Sequence, residues 1–331
     1  MVAAFGTFAA TAVIAAAAAC IAFSGVAAAS SRLDVIDLPV GFFSEGIALA
    51  EEWTVYVGSF SEDGSIWKGD LSTGEGEVVL AEAGGSALGL AYDRRSGFLF
   101  VCGAYAGTVR VYDTKVDAFS LVAEIPLGPS DGTSLINDVI ITKTAAYFTD
   151  SFIPQLYSVP LKKYSGELES STGTTIPLGP EFTFINGTVN TNGIEITDDQ
   201  ETLIVVNMAS GELFSVDPET GHADLIDLGG VLLHGDGMVL RKNTLWVVQH
   251  PLFGGEVMQI SEVALSSDLS CGTVVRNFTS DYYDFPATAV RKGNSLYYVN
   301  GKFGVAEEDV ASTSYEIVRV DRDGGEDACV S

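Results

Sequence analysis

Four oxygen-bearing side chains recur along the sequence, each at the start of a short apolar run. They are Glu45 in EGIAL, Asn137 in NDVII, Asn192 in NGIEI and Asp236 in DGMVL. Carboxylate and amide oxygens are the hard ligands that Ca2+ binds, in sets of about six to eight that include water. None of the four is Cys or His, the ligands that favour zinc or copper. If they converge, they predict a calcium site, with another divalent cation as the alternative.

An internal repeat explains how residues so far apart in sequence can converge. After residue 30 the chain reads as six units, each with a short apolar strand, a second strand that ends in polar or aromatic residues, and a third strand. The second and third strands align as TVYVGSF…SIWKGDLSTG, FLFVCGAY…TVRVYDTK, AAYFTDSF…QLYSVPL, TLIVVNMA…ELFSVDPETG, TLWVVQH…EVMQIS and SLYYVNGKF…YEIVRVD. A fourth, outer strand follows in most units, such as EVVLAEA and SLVAEIPL.

The repeat predicts an all-β protein, a six-bladed β-propeller with four antiparallel strands per blade over residues 30–331. The sixth unit has no outer strand after it, whereas RLDVIDL at 32–38 is a spare strand. We expect this N-terminal strand to complete the last blade and so hide the open edge of its sheet. The alternative is a β-sandwich, which explains neither the six similar units nor the exchanged terminal strand.

Equivalent positions of the six innermost strands lie at one height around the axis of such a ring. Alignment of the units places there Glu45, Leu88, Asn137, Asn192, Asp236 and Thr288. Two carboxylates would balance the charge of a divalent cation, and glycines follow three of the four predicted ligands. The alternative is that each residue only caps the start of its strand. That alternative does not explain why the four occupy equivalent positions.

At this point the sequence resembles a known group: senescence marker protein, gluconolactonase and luciferin-regenerating enzyme, with paraoxonases and strictosidine synthases as more distant relatives. The resemblance rests on FSEGIA, INDVIIT, YFTDS, TNGIEIT and GDGM. Each motif is short, and their order and spacing over about residues 40–321 carry the specificity. The resemblance implies one divalent metal held by Glu45, Asn137, Asn192 and Asp236, and the hydrolysis of a lactone or related ester.

For such a hydrolysis, Asp236 is the expected general base as well as a ligand. Asn137 or Asn192 would orient the substrate carbonyl. His250 and His234 are candidate proton shuttles, as histidines are in the paraoxonase relatives, whereas His222 beside an outer strand is expected on the surface. The predicted catalytic set is therefore Asp236, Asn137 and His250.

The second strands run antiparallel to the first, so their ends return to the face that carries the predicted site. That rim contains Phe60, Tyr105, Asp150, Phe152, Asn207, Met208, His250, Phe253, Asn300, Lys302 and Phe303. From it we predict substrate contacts by Tyr105, Asp150, Phe152, Asn207, Asn300 and Lys302. Aromatic walls with few polar groups are typical of a pocket for a mostly apolar small molecule. Leu135 stands where sugar-acid lactonases usually carry a basic residue, so the resemblance does not extend to a strongly anionic sugar.

The overall charge excludes several classes of partner. Lys and Arg number 17 and Asp and Glu number 44, so the formal net charge is −27. Such a protein repels phosphate backbones and anionic membrane surfaces, which excludes nucleic-acid binding, and it favours cations. The expected partner is a small-molecule substrate, and the oligomeric state is left open.

The first 29 residues form a distinct segment without a charged residue, ending in VAAA. We predict a cleaved signal peptide and a secreted protein, with an uncleaved membrane anchor as the alternative. Sequons at Asn186 and Asn277 agree with secretion and predict glycosylation. In an oxidising compartment Cys271 and Cys329 could pair, or both could remain free thiols.

Three functions are consistent with these observations. The first is a calcium-dependent hydrolase of a lactone or ester. The second is non-hydrolytic chemistry on the same scaffold, such as the cyclisation or condensation implied by the strictosidine synthase relatives, with Glu45 or Asp236 as the acidic group. The third is a non-catalytic binding module in which calcium only stabilises the ring.

Overall fold

The computed structural model describes residues 33–116, 119–252 and 257–322. The strands described there form six four-stranded antiparallel sheets. The predicted six-bladed β-propeller is therefore confirmed. The predicted signal peptide (1–29), Phe253 and Cys329 lie outside the described residues.

The first described strand is β1 (Val35–Asp37). Blade 1 comprises β2 (Ser44–Leu49), β3 (Thr54–Ser59), β4 (Ile66–Asp70) and β5 (Gly76–Leu80). Blade 2 comprises β6 (Leu90–Asp93), β7 (Phe98–Cys102), β8 (Thr108–Asp113) and β9 (Ser120–Pro126). Blade 3 comprises β10 (Ile136–Ile141), β11 (Ala145–Asp150), β12 (Gln155–Pro160) and β13 (Thr174–Pro177). These blades follow the predicted units one by one.

Blade 4 comprises β14 (Thr191–Ile196), β15 (Leu203–Asn207), β16 (Leu213–Val216) and β17 (Ala223–Leu225). Blade 5 comprises β18 (Gly235–Arg241), β19 (Thr244–Gln249), β20 (Gln259–Leu265) and β21 (Gly272–Phe278). Blade 6 contains β22 (Pro286–Lys292), β23 (Ser295–Asn300) and β24 (Glu316–Asp321), with a short helix α1 (Glu307–Val310) between the last two.

The ring is closed by the N-terminal strand, as predicted. β1 pairs antiparallel with β24, with Val35 opposite Val318 and Asp37 opposite Glu316. The last sheet therefore has the order β1-β24-β23-β22 and mixes the two ends of the described chain. Because this pairing covers the free edge of β24, it also joins the first and last blades.

Apolar residues fill the spaces between neighbouring blades. The second strands, such as β15 and β23, are buried along their whole length because each lies between two blades. One cluster joins blades 5 and 6 through Trp246, Tyr298 and Ile260. The outer strands β5 and β21 are largely exposed instead. The inner strands β2, β6, β10, β14, β18 and β22 contact one another in turn around the axis, which brings their first residues together.

Residues 33–116, 119–252 and 257–322 contain no helix that is both long enough and apolar enough to cross a membrane. Cys102 is buried in blade 2 and Cys271 is exposed. Asn186 and Asn277 are also exposed, so both predicted glycosylation sites are accessible. Secretion, glycosylation and the Cys271–Cys329 pairing remain predictions.

Candidate functional site

The four predicted ligands lie in β-bulges at the starts of four inner strands. In blade 1, Ser44 pairs with Ser59 and Ile47 pairs with Val57, so two residues of β2 face one residue of β3. The register shifts in the same way at the starts of β10, β14 and β18. A bulge re-aims the extra residue away from the regular alternation of the strand. This local irregularity directs Glu45, Asn137, Asn192 and Asp236 towards the channel.

Glycines follow three of these ligands because the next inner strand passes very close. A Cβ on Gly46 would lie 2.2 Å from the carbonyl oxygen of Leu88, and one on Gly193 would lie 2.3 Å from that of Asp236. At Gly237 the nearest atom would be the Cα of Thr288, at 2.7 Å. Side chains at these positions would force the inner strands apart and open the ring.

The register also corrects the sixth position of the ring. Pro286 pairs with Asn300 and Ala289 with Tyr298, so Ala287 is the residue equivalent to the four ligands. The sequence prediction of Thr288 is therefore wrong by one residue, because the alignment could not locate the bulge. Ala287 is buried among apolar side chains and offers no side-chain oxygen.

The four ligands line one cavity of about 310 Å³, and each is only 3–5% exposed. Glu45 Oε2 and Asn137 Oδ1 are buried there without a hydrogen-bond partner. Burying an unpaired polar atom is costly, so these oxygens are expected to face a ligand. Two carboxylates and two amides also match the oxygen donors that calcium prefers. The residues present therefore fit a hard divalent cation.

The amide nitrogens of the two asparagines are held by the protein, which assigns their orientation. Asn137 Nδ2 donates to Ser151 Oγ at 2.9 Å, and that hydroxyl donates to the carbonyl oxygen of Thr191 at 2.6 Å. Asn192 Nδ2 lies 3.3 Å from Met208 Sδ. With both nitrogens engaged, the amide oxygens are left for another partner. The orienting role of Ser151 was not predicted from the sequence.

Asp236 and His250 form a buried pair, with 2.8 Å between Asp236 Oδ2 and His250 Nε2. The other ring nitrogen, Nδ1, lies 3.0 Å from the carbonyl oxygen of Pro251. A carbonyl can only accept, so Nδ1 carries a proton. Both ring nitrogens therefore face oxygen atoms, and the short contact between Nε2 and Oδ2 is a path along which a proton can move between His250 and Asp236.

The other two histidines lie away from this pair. His222 is half-exposed beside Glu181 and Asp224, as expected for a surface residue. His234 is not among the residues that line the cavity, although its backbone carbonyl accepts a hydrogen bond from the backbone N–H of His250. The structure thus brings only His250 to the predicted ligands.

Carboxyl groups concentrate along the axis beneath the cavity. Burial, followed by the charges of Asp236 and Asp138, holds the pKa of Glu45 well above its usual range. Burial also raises the pKa of Asp138 to about 7. A cation would relieve this repulsion. Within the described ranges no three or more His, Cys, Asp or Glu residues cluster as a metal site, so a cation would depend on the two amides as well.

Aromatic and aliphatic side chains form the wall above the ligands. Phe60, Tyr105, Met208, His250 and Phe303 line the cavity from the predicted rim, and Leu88, Leu135, Val189 and Leu252 complete the wall. Tyr105 is 46% exposed at the mouth. Phe152 does not line the cavity and packs against Tyr105 from behind, with ring centroids 6.0 Å apart. The wall is therefore apolar, as predicted.

Besides Phe152, four more of the six predicted substrate contacts do not line this cavity: Asp150, Asn207, Asn300 and Lys302. Asp150 is fully buried and accepts bonds from Ser134 Oγ at 2.7 Å and from the backbone N–H of Leu135 at 3.0 Å. The structure gives this side chain a structural role, because its oxygens tie the rim loops together.

Asn207, Asn300 and Lys302 are engaged in the same way. Asn207 Nδ2 donates to the Thr183 carbonyl at 2.6 Å, and Asn300 Nδ2 donates to Glu316 Oε1 at 2.6 Å. Lys302 Nζ lies 2.9 Å from Glu316 Oε2. Successive side chains of a strand point in opposite directions. In blades 1, 4 and 5 the residue after the second strand, Phe60, Met208 or His250, lines the cavity, whereas the last residue of the strand does not.

No family model matches the sequence, and no curated protein matches it. Solved structures share the fold. The allergen Mala s 1 of Malassezia sympodialis has a TM-score of 0.63 at 12% identity, covering 87% of this chain and 96% of that chain. A luciferin-regenerating enzyme has a TM-score of 0.59 at 13% identity, covering 87% and 94%. A calcium-binding regucalcin from Agrobacterium tumefaciens has 0.58 at 15%, covering 88% and 95%.

At these identities the likeness establishes the fold. The neighbours cover most of both chains, so the whole described ring is shared with them. They include an enzyme and a calcium-binding protein. This confirms the fold implied by the sequence motifs.

Proposed function

We propose that the protein is a secreted, calcium-dependent hydrolase of a small, mostly apolar lactone or ester. The observation that carries the proposal is the buried set of four oxygen donors, two of whose oxygens lack a partner, at the floor of an apolar cavity. The structural likeness to a calcium-binding regucalcin and to a luciferin-regenerating enzyme supports it.

Glu45, Asn137, Asn192 and Asp236 would hold the cation. When bound, a divalent cation supplies charge stabilisation for a developing oxyanion and makes a water molecule more acidic. Ser151 acts as a positioning residue, because its hydroxyl keeps the Asn137 amide nitrogen turned away from the cavity.

The Asp236–His250 pair moves the protons. Asp236 accepts a proton from the attacking water, and His250 donates one to the oxygen that leaves as the ester bond breaks. The 2.8 Å hydrogen bond between them then returns a proton from Asp236 to His250, which restores the starting state. The cycle adds one water to one ester or lactone and changes the protein in no other way.

The wall determines the substrate class. Phe60, Tyr105 and Phe303 offer apolar surface, and the described residues that line this cavity include no Lys or Arg. An apolar acyl chain or ring gains free energy by leaving water here, whereas an anionic group would meet buried carboxylates. A volume of about 310 Å³ suits a small molecule.

The test begins with calcium titration calorimetry of the full chain after chelation of bound metal. We expect one site in the wild type and none in Asp236→Ala, with Asp224→Ala as the matched control because that carboxylate is largely exposed. A panel of lactones and esters then tests turnover. Absence of calcium binding by the wild type would contradict the metal-dependent mechanism. Calcium binding without turnover of any ester or lactone would favour the binding module.

Secretion is tested separately. The proposal rests on the uncharged residues 1–29. If they are a signal peptide, the protein recovered outside its host cell begins near residue 30 by intact mass. Recovery of the full-length chain in the membrane fraction would favour the anchor instead.

A further inference from the structure

A second cavity, of about 300 Å³, lies at the opposite end of the inner strands. Its walls come from the last residues of four inner strands: Leu49 of β2, Glu195 of β14, Leu240 and Arg241 of β18, and Val290 and Arg291 of β22. The proposed cation site uses residues near the starts of three of these strands, β2, β14 and β18, together with Asn137 of β10. The two cavities therefore lie at the two ends of one central channel.

Two guanidinium groups in this cavity have no anionic partner within the described ranges. Among the residues that the structure describes, Arg241 and Arg291 form no ion pair and donate no side-chain hydrogen bond, and Arg291 Nε is buried without a partner. Other cations of the chain are engaged, such as Arg95 with Asp93 at 2.6 Å and Lys302 with Glu316 at 2.9 Å. The other described arginines without an ion pair, Arg94, Arg110 and Arg322, each donate a side-chain hydrogen bond to a backbone carbonyl instead.

Arg291 is close enough to other cations to be affected by them. Burial, followed by the charges of Arg241 and Arg322, lowers the pKa of Arg291. Arg322 is engaged by Asn294, whose carbonyl oxygen accepts its Nε–H at 3.2 Å. Like charges kept together without a counter-charge indicate that an anion belongs between them.

Glu195 does not supply that counter-charge. Its carboxyl accepts the backbone N–H of Leu240 at 3.0 Å and forms no ion pair with either arginine among the described residues. Burial raises its pKa to about 8, so the group is mostly protonated at neutral pH. The rest of the wall is aliphatic, with Leu49, Leu240 and Val290. The cavity thus combines two cationic groups with an apolar surface.

We propose that this cavity binds a small organic anion, with its oxyanion head on Arg241 and Arg291 and a short apolar tail against the aliphatic wall. The planar guanidinium fork matches carboxylate and phosphate oxygens, and Arg binds both classes in two-pronged geometry. The apolar wall favours a ligand that carries carbon over an inorganic ion. This site is independent of the proposed cation site and of hydrolysis.

The test is calorimetry of the full chain with hexanoate and hexyl phosphate, which share a tail and differ in head-group charge. Inorganic phosphate and hexanol serve as comparisons for head and tail alone. We expect one hexanoate or hexyl phosphate per chain, with affinity reduced at least about tenfold in Arg241→Gln and in Arg291→Gln. Lys163→Gln, which removes an exposed charge on blade 3, is the matched control and should change nothing.

Several outcomes would overturn the proposal. They are absence of binding by both six-carbon probes, equal binding of hexanol, and unchanged affinity in both arginine variants with thermal unfolding intact. Binding that appears only after Asp323→Asn, Glu326→Gln and Asp327→Asn would also overturn it, because the arginines would then serve the chain's own carboxylates. Arg291→Lys keeps the positive charge but loses the forked guanidinium. An affinity between those of the wild type and Arg291→Gln would therefore support recognition of the anion by two hydrogen bonds from Arg291.

Discussion

The two ends of the central channel carry side chains of opposite chemistry on one set of inner strands. At one end, bulges at the starts of β2, β10, β14 and β18 direct carboxylate and amide oxygens into a cavity. At the other end, β18 and β22 finish with Arg241 and Arg291 in an aliphatic cavity. A net charge of −27 therefore describes the surface as a whole and not each site. Local geometry decides which charge a cavity carries.

The largest expected effect is on turnover, and it distinguishes proton transfer from cation binding at the end of the channel that carries the four oxygen donors. His250→Gln removes the proton carrier of the Asp236 pair and leaves all four oxygen donors in place. General acid–base groups contribute about 10²–10⁴-fold, so turnover of the best ester should fall by that factor. Calcium affinity, measured by calorimetry, should change only a few-fold. A variant with full turnover would remove His250 from the mechanism.

The second largest effect is expected on calcium affinity, when a predicted ligand in one blade is replaced by the residue that another blade carries. Asn192→Leu gives blade 4 the side chain that blade 2 carries at the equivalent position, Leu88. Because outer-shell partners alone are worth about 10–100-fold in metal affinity, loss of a direct ligand should weaken calcium binding by at least about 100-fold. Hexyl phosphate affinity at the far cavity should be unchanged. A loss at both ends would mean that the two cavities are coupled.

Adjacent residues on the rim offer a third comparison. Asp150→Asn places an amide donor where the buried carboxylate accepts hydrogen bonds from Ser134 and Leu135. The free energy of unfolding, measured in urea, should therefore fall by about 1–3 kcal/mol. Ser151→Ala removes the hydroxyl that accepts from the buried Asn137 amide, so it should lower the free energy of unfolding by a similar amount and should in addition weaken calcium binding about tenfold. Weakened calcium binding in Asp150→Asn, or unchanged calcium binding in Ser151→Ala, would contradict the assignment of facing directions.

The smallest expected effect concerns Glu195 and depends on pH. Its pKa is raised to about 8, so the folded protein holds this proton more tightly than the unfolded chain. The stability this contributes is present below the unfolded pKa, about 4.3, and is lost as pH rises towards 8. Glu195→Gln cannot ionise, so it should raise Tm by a few degrees at pH 9 and little at pH 5. Exposed Glu219→Gln is the control, and an equal Tm increase at both pH values would refute burial as the cause.

Much of the architecture could be predicted because the same strand pattern recurs six times in the sequence. Alternating apolar residues and regular turns indicate the strands, and six similar units indicate the ring. The spare strand at 32–38 indicated the closure that β1 and β24 make. These inferences succeed because each blade must bury the same kind of surface against its neighbours.

The two cavities were predicted only in part. The four oxygen donors stand at equivalent places in the repeat, so their convergence follows from the ring. The sixth position was misplaced from Ala287 to Thr288, since a bulge adds a residue that no apolar pattern records. The arginine cavity was not predicted at all. Arg241 and Arg291 read as ordinary turn residues until two strand ends bring them together.

The fold class, the closure of the ring and the convergence of four oxygen-bearing residues follow from the sequence, because these depend on period and composition. Which rim residues face the channel becomes clear only in the folded chain. Asn207 and Met208 are neighbours, yet Asn207 binds the Thr183 carbonyl and Met208 lines the cavity. Facing direction at a strand end depends on hydrogen bonds to loops distant in sequence, and a one-residue shift reverses it.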